Sequence, residues 1–177
     1  MTDANTESEQ ILRARAQSLA RIPPPAPAVE TTLELLEFRL ASERYALETR
    51  HVHEVHPLRE LTPLPCTPEF VLGIVNVRGR ILPVLDLKKF FQLPDQGLTD
   101  LHRIILLRGN GLEMGLLADV IVGVRLVPID SLQPSLPTLT GIRAEYLKGV
   151  SAERLVVLDL DRLLSDPRII VDEEVLS

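Results

Sequence analysis

Glu69-Phe-Val-Leu-Gly-Ile-Val-Asn-Val-Arg-Gly-Arg-Ile-Leu-Pro-Val-Leu-Asp-Leu87 is the stretch on which the fold turns. Two apolar runs, Val71–Arg78 and Arg80–Leu85, meet at Gly79. Runs of this length and composition, parted by a turn residue, predict two strands of a hairpin. Asp86 follows the second run directly, and the helical pattern Leu87–Phe91 follows Asp86. An aspartate there is a natural N-cap, because its carboxylate accepts from N–H groups that the first helical turn leaves unpaired. Arg78 stands at the bend, which pushes its guanidinium outward. Arginine is enriched in interface hot spots because its planar fork pairs with carboxylates and carbonyls. A solvated turn arginine is the alternative, and residue chemistry alone leaves both open.

The same pattern returns later in the chain. Arg80-Ile-Leu-Pro-Val-Leu-Asp-Leu-Lys-Lys-Phe-Phe91 aligns without gaps to Glu153-Arg-Leu-Val-Val-Leu-Asp-Leu-Asp-Arg-Leu-Leu164, and each follows a glycine-led strand, at Gly73 and Gly149. A period of about 73 residues is too long for a solenoid. It fits two related small β subdomains. Each is too small to bury much surface alone, so a shared apolar seam is expected between them.

Working outward, Leu33–Ala41 and Arg44–Glu48 predict a hairpin joined at Ser42-Glu43. His51–Val55 is expected to form one or two helical turns. Pro57, Pro63, Pro65 and Pro68 punctuate a loop, and a polar loop covers Pro94–Asp100. Arg103–Arg108 and Leu112–Leu117 flank Gly109-Asn110-Gly111, a strong hairpin signal. Val120–Val127 is a further strand, Pro128–Gly141 a loop, and Leu147–Val150 and Leu155–Leu158 the last two strands. Asp159 caps the final helical pattern, and the acidic tail after Pro167 is expected to fray. Short strands with polar turns point to an all-β chain of barrels or curled sheets.

Residues 1–32 differ in texture. Ile11, Leu12, Arg15, Ala16 and Leu19 are spaced by threes and fours within Ser8–Ile22, which predicts a helix with a narrow apolar stripe. Thr6 and Glu9 can form a capping box. Pro23-Pro24-Pro25-Ala26-Pro27 behind it is an extended, semi-rigid spacer. A transient helix in a disordered tail, a tethered partner-binding helix, and a helix docked on its own domain all fit this pattern.

Composition narrows the function. The 177 residues suffice for one domain or two very small ones, and apolar residues make up 45%, so a core can form. Aromatics are 3% with no Trp, which predicts an aliphatic core. A net charge of −6 argues against nucleic-acid binding and against a polybasic membrane anchor. No apolar run approaches the 18 or so residues of a membrane span, and the polar N-terminus lacks a signal-peptide core. A cytoplasmic chain without direct membrane insertion is expected.

Catalytic signatures are sparse. There is no phosphate-binding glycine loop, dinucleotide fingerprint or nucleophile elbow. Asp86 and Asp159 occupy equivalent places, as paired catalytic carboxylates would, but their Asp-Leu-Lys and Asp-Leu-Asp contexts lack the tight glycine loops of an acid dyad. N-capping explains both. His51, His53 and His56 form a cluster that falls short of the three or four ligands zinc needs, unless Glu48 or Glu54 joins. Histidines carried on an exposed short helix are the plainer account. Cys66, in Leu-Pro-Cys-Thr-Pro, excludes an internal disulfide and has no adjoining basic residue to activate it. A metal-dependent or hydrolytic enzyme is a remote alternative.

The Glu69–Leu87 segment resembles the signature of the CheW-like family, adaptors of bacterial chemosensory arrays. The likeness runs from about Leu33 to Leu164 and takes in Glu37-Phe-Arg-Leu, Tyr45-Ala-Leu, Leu116-Leu-Ala-Asp-Val-Ile-Val-Gly-Val124, Tyr146-Leu-Lys-Gly-Val150 and Leu155-Val-Val-Leu-Asp-Leu160. Asn-x-Arg-Gly followed by Pro-Val-x-Asp-Leu is its most specific part, with Val77 where leucine is commoner. The resemblance implies two SH3-like five-stranded β-barrel subdomains over residues 33–166, flanked by an N-terminal helical and Pro-rich extension and an acidic tail from 167 to 177. It implies no catalysis and no cofactor. It implies two partners, the regulatory domain of a CheA-type histidine kinase and the cytoplasmic tip of a methyl-accepting chemoreceptor. Val52 and Glu54, on the short helix after the second strand, match partner-contacting positions. So do Gly73, where close backbone approach is expected, and Asn76, Arg78 and Gly79. A flagellar array is the first expectation, and a pilus-motility or developmental array the alternative.

Overall fold

The computed structural model describes residues 31–94, 97, 101–134 and 142–169. The expected helix Ser8–Ile22 and the proline spacer lie outside the described residues. The described strands are β1 (Thr32–Leu40), β2 (Glu43–Glu48), β3 (Val52–Pro57), β4 (Val71–Val77), β5 (Arg80–Leu85), β6 (Arg103–Gly109), β7 (Leu112–Ala118), β8 (Val120–Pro128), β9 (Leu147–Val150) and β10 (Leu155–Leu158). Short helices α1 (Leu87–Phe90), α2 (Ile142–Glu145) and α3 (Leu160–Leu164) join them, with single 3-10 turns at Thr49–His51 and Ile129–Ser131.

The strands form two five-stranded sheets, ordered β8-β1-β2-β10-β9 and β3-β6-β7-β5-β4. Each has one parallel pairing, β10 on β2 and β5 on β7; the other pairings are antiparallel. Reading β8, β9, β10, β1, β2 for β3, β4, β5, β6, β7 turns one sheet into the other. The halves are therefore circular permutations of one plan, and the first hairpin completes the sheet of the last three strands. The sequence echo marks the corresponding pieces, β5–α1 and β10–α3.

The central strands are buried on both faces, which is why Ile104-Ile105-Leu106-Leu107 and Leu155-Val-Val-Leu158 read as unbroken apolar runs. In β6, Ile104 and Leu106 face a small core with Val75, Val77, Leu82 and Val84. Ile105 and Leu107 face the opposite way, into a larger seam shared with Phe38, Tyr45, Leu158 and Leu163 of the other half. In β10, Leu155 and Val157 join Leu35, Ala46 and Val127, while Val156 and Leu158 join the seam. The expected aliphatic core holds for each half's own interior. The chain's four Phe and two Tyr, by contrast, form one connected cluster at the seam, from Phe38 through Tyr45, Phe91, Tyr146 and Phe90 to Phe70.

Three local expectations need correction. His51–Val55 is not helical: a single 3-10 turn ends at His51, and Val52 begins β3. Pairing with β6 wins there, because an isolated helical turn is costly to nucleate and β-branched Val52 and Val55 suit a strand. The first hairpin turns at Ala41-Ser42, with Ala41 at φ +53° and its N–H donated to Asp119 Oδ2 at 2.6 Å. The tail does not fray at once. Ile169 is buried in the seam, and Arg168 lies 5.7 Å from the Phe90 ring centre and donates to Asp166.

Candidate functional site

The β4–β5 hairpin ends in a two-residue turn, since Val77 pairs with Arg80 across Arg78-Gly79. Both turn residues are left-handed, Arg78 at φ +52° and Gly79 at φ +83°. This is the geometry of a type I′ turn, which favours Asn and Gly at its centre. The Asn110-Gly111 turn uses that preferred pair, at φ +52° and +78°. Arg78 accepts the same conformation with a full side chain. Asn76 compensates by accepting the Gly79 N–H on its side-chain oxygen at 2.8 Å. Ile81, across from Asn76, is 67% exposed beside it.

Glu54, on edge strand β3, reaches this tip from the far side of the sheet. Its Oε2 lies 3.1 Å from Arg78 Nη2, so the ion pair ties the first strand of the sheet order to the hairpin of the last and shows the sheet curling on itself. Glu54 is largely covered, whereas the Arg78 side chain is 72% exposed. Glu54 Oε1 faces His56 Nε2 at 3.0 Å. The His56 ring holds the Glu54 carboxyl below its ordinary range, burial opposes this, and Arg78 and then His53 add to the lowering. Arg80, next along the strand, is instead tied to Glu113 at 2.7 Å.

Asn76, Arg78, Gly79 and Glu54 are thus brought together at one tip. Val52 lies two residues back on β3, half-buried against the seam. Gly73 is buried. A Cβ there would sit 2.2 Å from the Thr62 carbonyl oxygen, and φ is +144°. The backbone that approaches it belongs to the chain's own loop, through the paired bridge Thr62–Ile74. Gly149 has the matching place in the other half, beneath Leu132 and Gln133.

The histidines do not converge. His51 is buried and faces Asp161 at 3.7 Å, His53 points outward, and His56 faces Glu54. Among the described residues no group of His, Cys, Asp and Glu is arranged to hold a metal. Cys66 is an exposed loop thiol. Asp86 and Asp159 cap their helices, accepting from Lys88 N–H at 2.8 Å and Arg162 N–H at 3.1 Å.

A second surface, unread in the sequence, lies on edge strand β8. Val120, Val122, Val124 and Leu126 are 50–66% exposed along it. The available signal was their alternation with Gly123 and Arg125, which Ile121 interrupts. Ile81 could likewise have been found from its place opposite Leu82 and Val84 in β5.

A family model described as the CheW-like domain matches residues 34–168. The chain belongs to the CheW-like family. Among its relatives is the chemotaxis protein CheW of Treponema pallidum, 31% identical over 148 residues that cover 80% of this chain and 87% of that protein. Protein FrzA of Myxococcus xanthus is 33% identical over 141 residues, covering 76% and 87%. The crystal structure of the scaffolding protein TtCheW from Thermoanaerobacter tengcongensis superposes with a TM-score of 0.69 at 33% identity, covering 78% of this chain and 96% of that one. The CheW-like domain here thus has its family's two-sheet fold, and the Glu69–Leu87 segment forms the hairpin that carries Arg78.

Proposed function

We propose that this chain is a non-enzymatic adaptor that couples a methyl-accepting chemoreceptor to a CheA-type histidine kinase, in the cytoplasm at receptor arrays. The observation that carries the reading is Arg78. A non-glycine residue in a left-handed turn position costs on the order of 1 kcal/mol or more, and such strain tends to be kept where function uses it. Here it holds a guanidinium 72% exposed, on a hairpin stiffened by Asn76 and steadied by Glu54. Arg78, Gly79, Asn76, Glu54 and neighbouring Ile81 form a charged tip with an apolar neighbour, suited to the kinase regulatory domain. Val52 and Gly73 serve that tip from behind, Val52 by anchoring β3 on the seam and Gly73 by letting the Thr62 loop close over β4.

The apolar row on β8 offers different chemistry, a stripe that fits the apolar face of a receptor's helical hairpin. Two unlike surfaces on one scaffold let one partner's state bias the other's. No helix among the described residues is long and apolar enough to cross a membrane. The test is a three-component co-sedimentation with receptor tip and kinase regulatory domain. Arg78→Glu should release the kinase domain alone and Val124→Asp the receptor alone. Retention of both partners by both variants would refute the assignment.

A further inference from the structure

Arg78 is the outermost of a set of charges that follows one end of its sheet. Glu54 stands on β3, Arg108 on β6, Glu113 on β7, Arg80 on β5 and Arg78 on the β4–β5 turn. Glu113 is the hub. Its Oε1 accepts from Arg108 Nε at 2.7 Å and its Oε2 from Arg80 Nη1 at 2.7 Å. The Arg108 guanidinium holds the Glu113 carboxyl below its ordinary range, burial opposes this, and Arg80 and then His53 add to the lowering. Three guanidiniums therefore share two carboxylates, Glu54 and Glu113. The carboxylates are half-covered, while Arg78 and Arg108 stand out at 72% and 61% exposure. A guanidinium carries more N–H donors than one carboxylate oxygen takes up. A shallow hollow beside Arg80 and Arg108 is lined also by Leu82 and Leu106, and apolar walls leave charge pairing there less weakened by water.

The other half carries no such face. The sequence echo sets Glu153 where Arg80 stands, and the charge left outermost there is a carboxylate. Glu153 is 61% exposed, while Arg44 and Arg125 close on buried Glu37. The chain as a whole has a net charge of −6, so a cationic rim is a local departure from its surface.

We propose that Arg80 and Arg108 extend the Arg78 tip into a cationic rim that docks an acidic segment of the kinase regulatory domain, one bearing more than one carboxylate. Opposite charge across a rim steers two proteins together and raises their association rate. Glu113 has two effects on that rim. It holds both guanidiniums in place, and it offsets one of their charges. The rim continues the tip assigned above and rests on that assignment.

The test is stopped-flow association of the full chain with a CheA-type regulatory domain at low and at high salt, each variant first shown to melt like wild type. Arg80→Gln and Arg108→Gln should each slow association about threefold or more at low salt, and the deficit should shrink at high salt, where screening removes the steering. Glu113→Gln keeps an acceptor for both arginines and removes one negative charge, so it should bind about threefold tighter. Weaker binding by a well-folded Glu113→Gln would overturn the charge role, and the arginine variants carry the test should it fold poorly. Arg162→Gln removes the same charge from an exposed site on α3 and should match wild type. Equal slowing by Arg162→Gln would show that net charge alone steers, and would overturn the rim. If Arg80→Gln and Arg108→Gln associate like wild type while Arg78→Glu weakens binding, the rim is refuted and the tip assignment stands. If Arg78→Glu also binds like wild type, the tip assignment itself has failed.

Discussion

The two halves close with the same device and opposite charges. In one, Glu54 on edge strand β3 meets Arg78 on the β4–β5 turn; in the other, Arg125 on edge strand β8 meets Glu153 on the β9–β10 turn at 3.1 Å. The edge strand and the turn correspond under the circular permutation that relates the sheets. Architecture therefore dictates where an ion pair sits and leaves its polarity open. The supports differ as well. Arg125 also contacts buried Glu37, which Arg44 holds at 2.7 Å, so that pair is anchored in a structural network. Glu54 has His56 behind it, and its partner Arg78 projects into solvent. One closure is tied into a buried network, and the other joins a half-covered carboxylate to the exposed Arg78.

The largest expected contrast lies in the equivalent glycines. Gly73→Ala would drive a Cβ to 2.2 Å from a backbone oxygen at φ +144°, where neither side can yield. It should cost about 3 kcal/mol or more. Gly149→Ala meets the Leu132 Cβ at 2.9 Å and the Gln133 oxygen at 3.1 Å, and should cost about 1–2 kcal/mol, because a small shift relieves part of the clash. Urea denaturation measures both, and equal costs would break the comparison.

Asp119 fastens one half to the other. It accepts the Ala41 N–H of the first hairpin and lies 2.7 Å from buried Lys88 and 2.9 Å from His102. Burial raises its pKa, but Lys88, the Ala41 N–H and His102 outweigh that and hold it below its ordinary 3.8. With the folded value depressed, its contribution is fully present above pH 3.8 and is lost as pH falls through the folded pKa. Asp119→Asn should cost about 2–3 kcal/mol at neutral pH, and the gap between its melting temperature and that of wild type should shrink in acid. A gap that persists undiminished in strong acid would contradict the charge role.

The helix caps should differ more gently. Asp86 is fully buried and Asp159 partly exposed. Asp86→Ala should cost about 2 kcal/mol and Asp159→Ala about 0.5–1 kcal/mol, read by thermal melts, with the reverse order counting against the account.

How much of this was legible beforehand depends on how local each feature is. The Gly109-Asn110-Gly111 turn, both aspartate caps and the doubly buried runs of β6 and β10 are local signals, and each stands where the sequence places it. The echo between Arg80–Phe91 and Glu153–Leu164 disclosed two halves. It could not disclose that β1 and β2 complete the second, because that pairing joins segments more than a hundred residues apart. His51–Val55 misled because its strand state depends on β6, far along the chain. At the site, Arg78 and Gly79 were readable from the turn. That Glu54 is the partner of Arg78, that His56 stands behind Glu54, and that Thr62 is what crowds Gly73 are facts of sheet curvature, and no spacing encodes them.

The smallest stability effects belong to the ion pairs themselves. Arg78→Ala and Glu153→Ala should each shift stability by no more than about 0.5–1 kcal/mol, as exposed pairs do. A larger loss for Arg78→Ala would mean that the tip is held for the fold's sake.

Binding separates the two closures where stability does not. The deciding measurement is calorimetric titration of a CheA-type regulatory domain with wild type, Arg78→Glu and Glu153→Ala, each first shown to melt like wild type. Arg78→Glu should weaken binding by about 2 kcal/mol or more, while Glu153→Ala stays within about 0.5 kcal/mol. Wild-type affinity for Arg78→Glu would contradict the claim that Arg78 is kept for a partner.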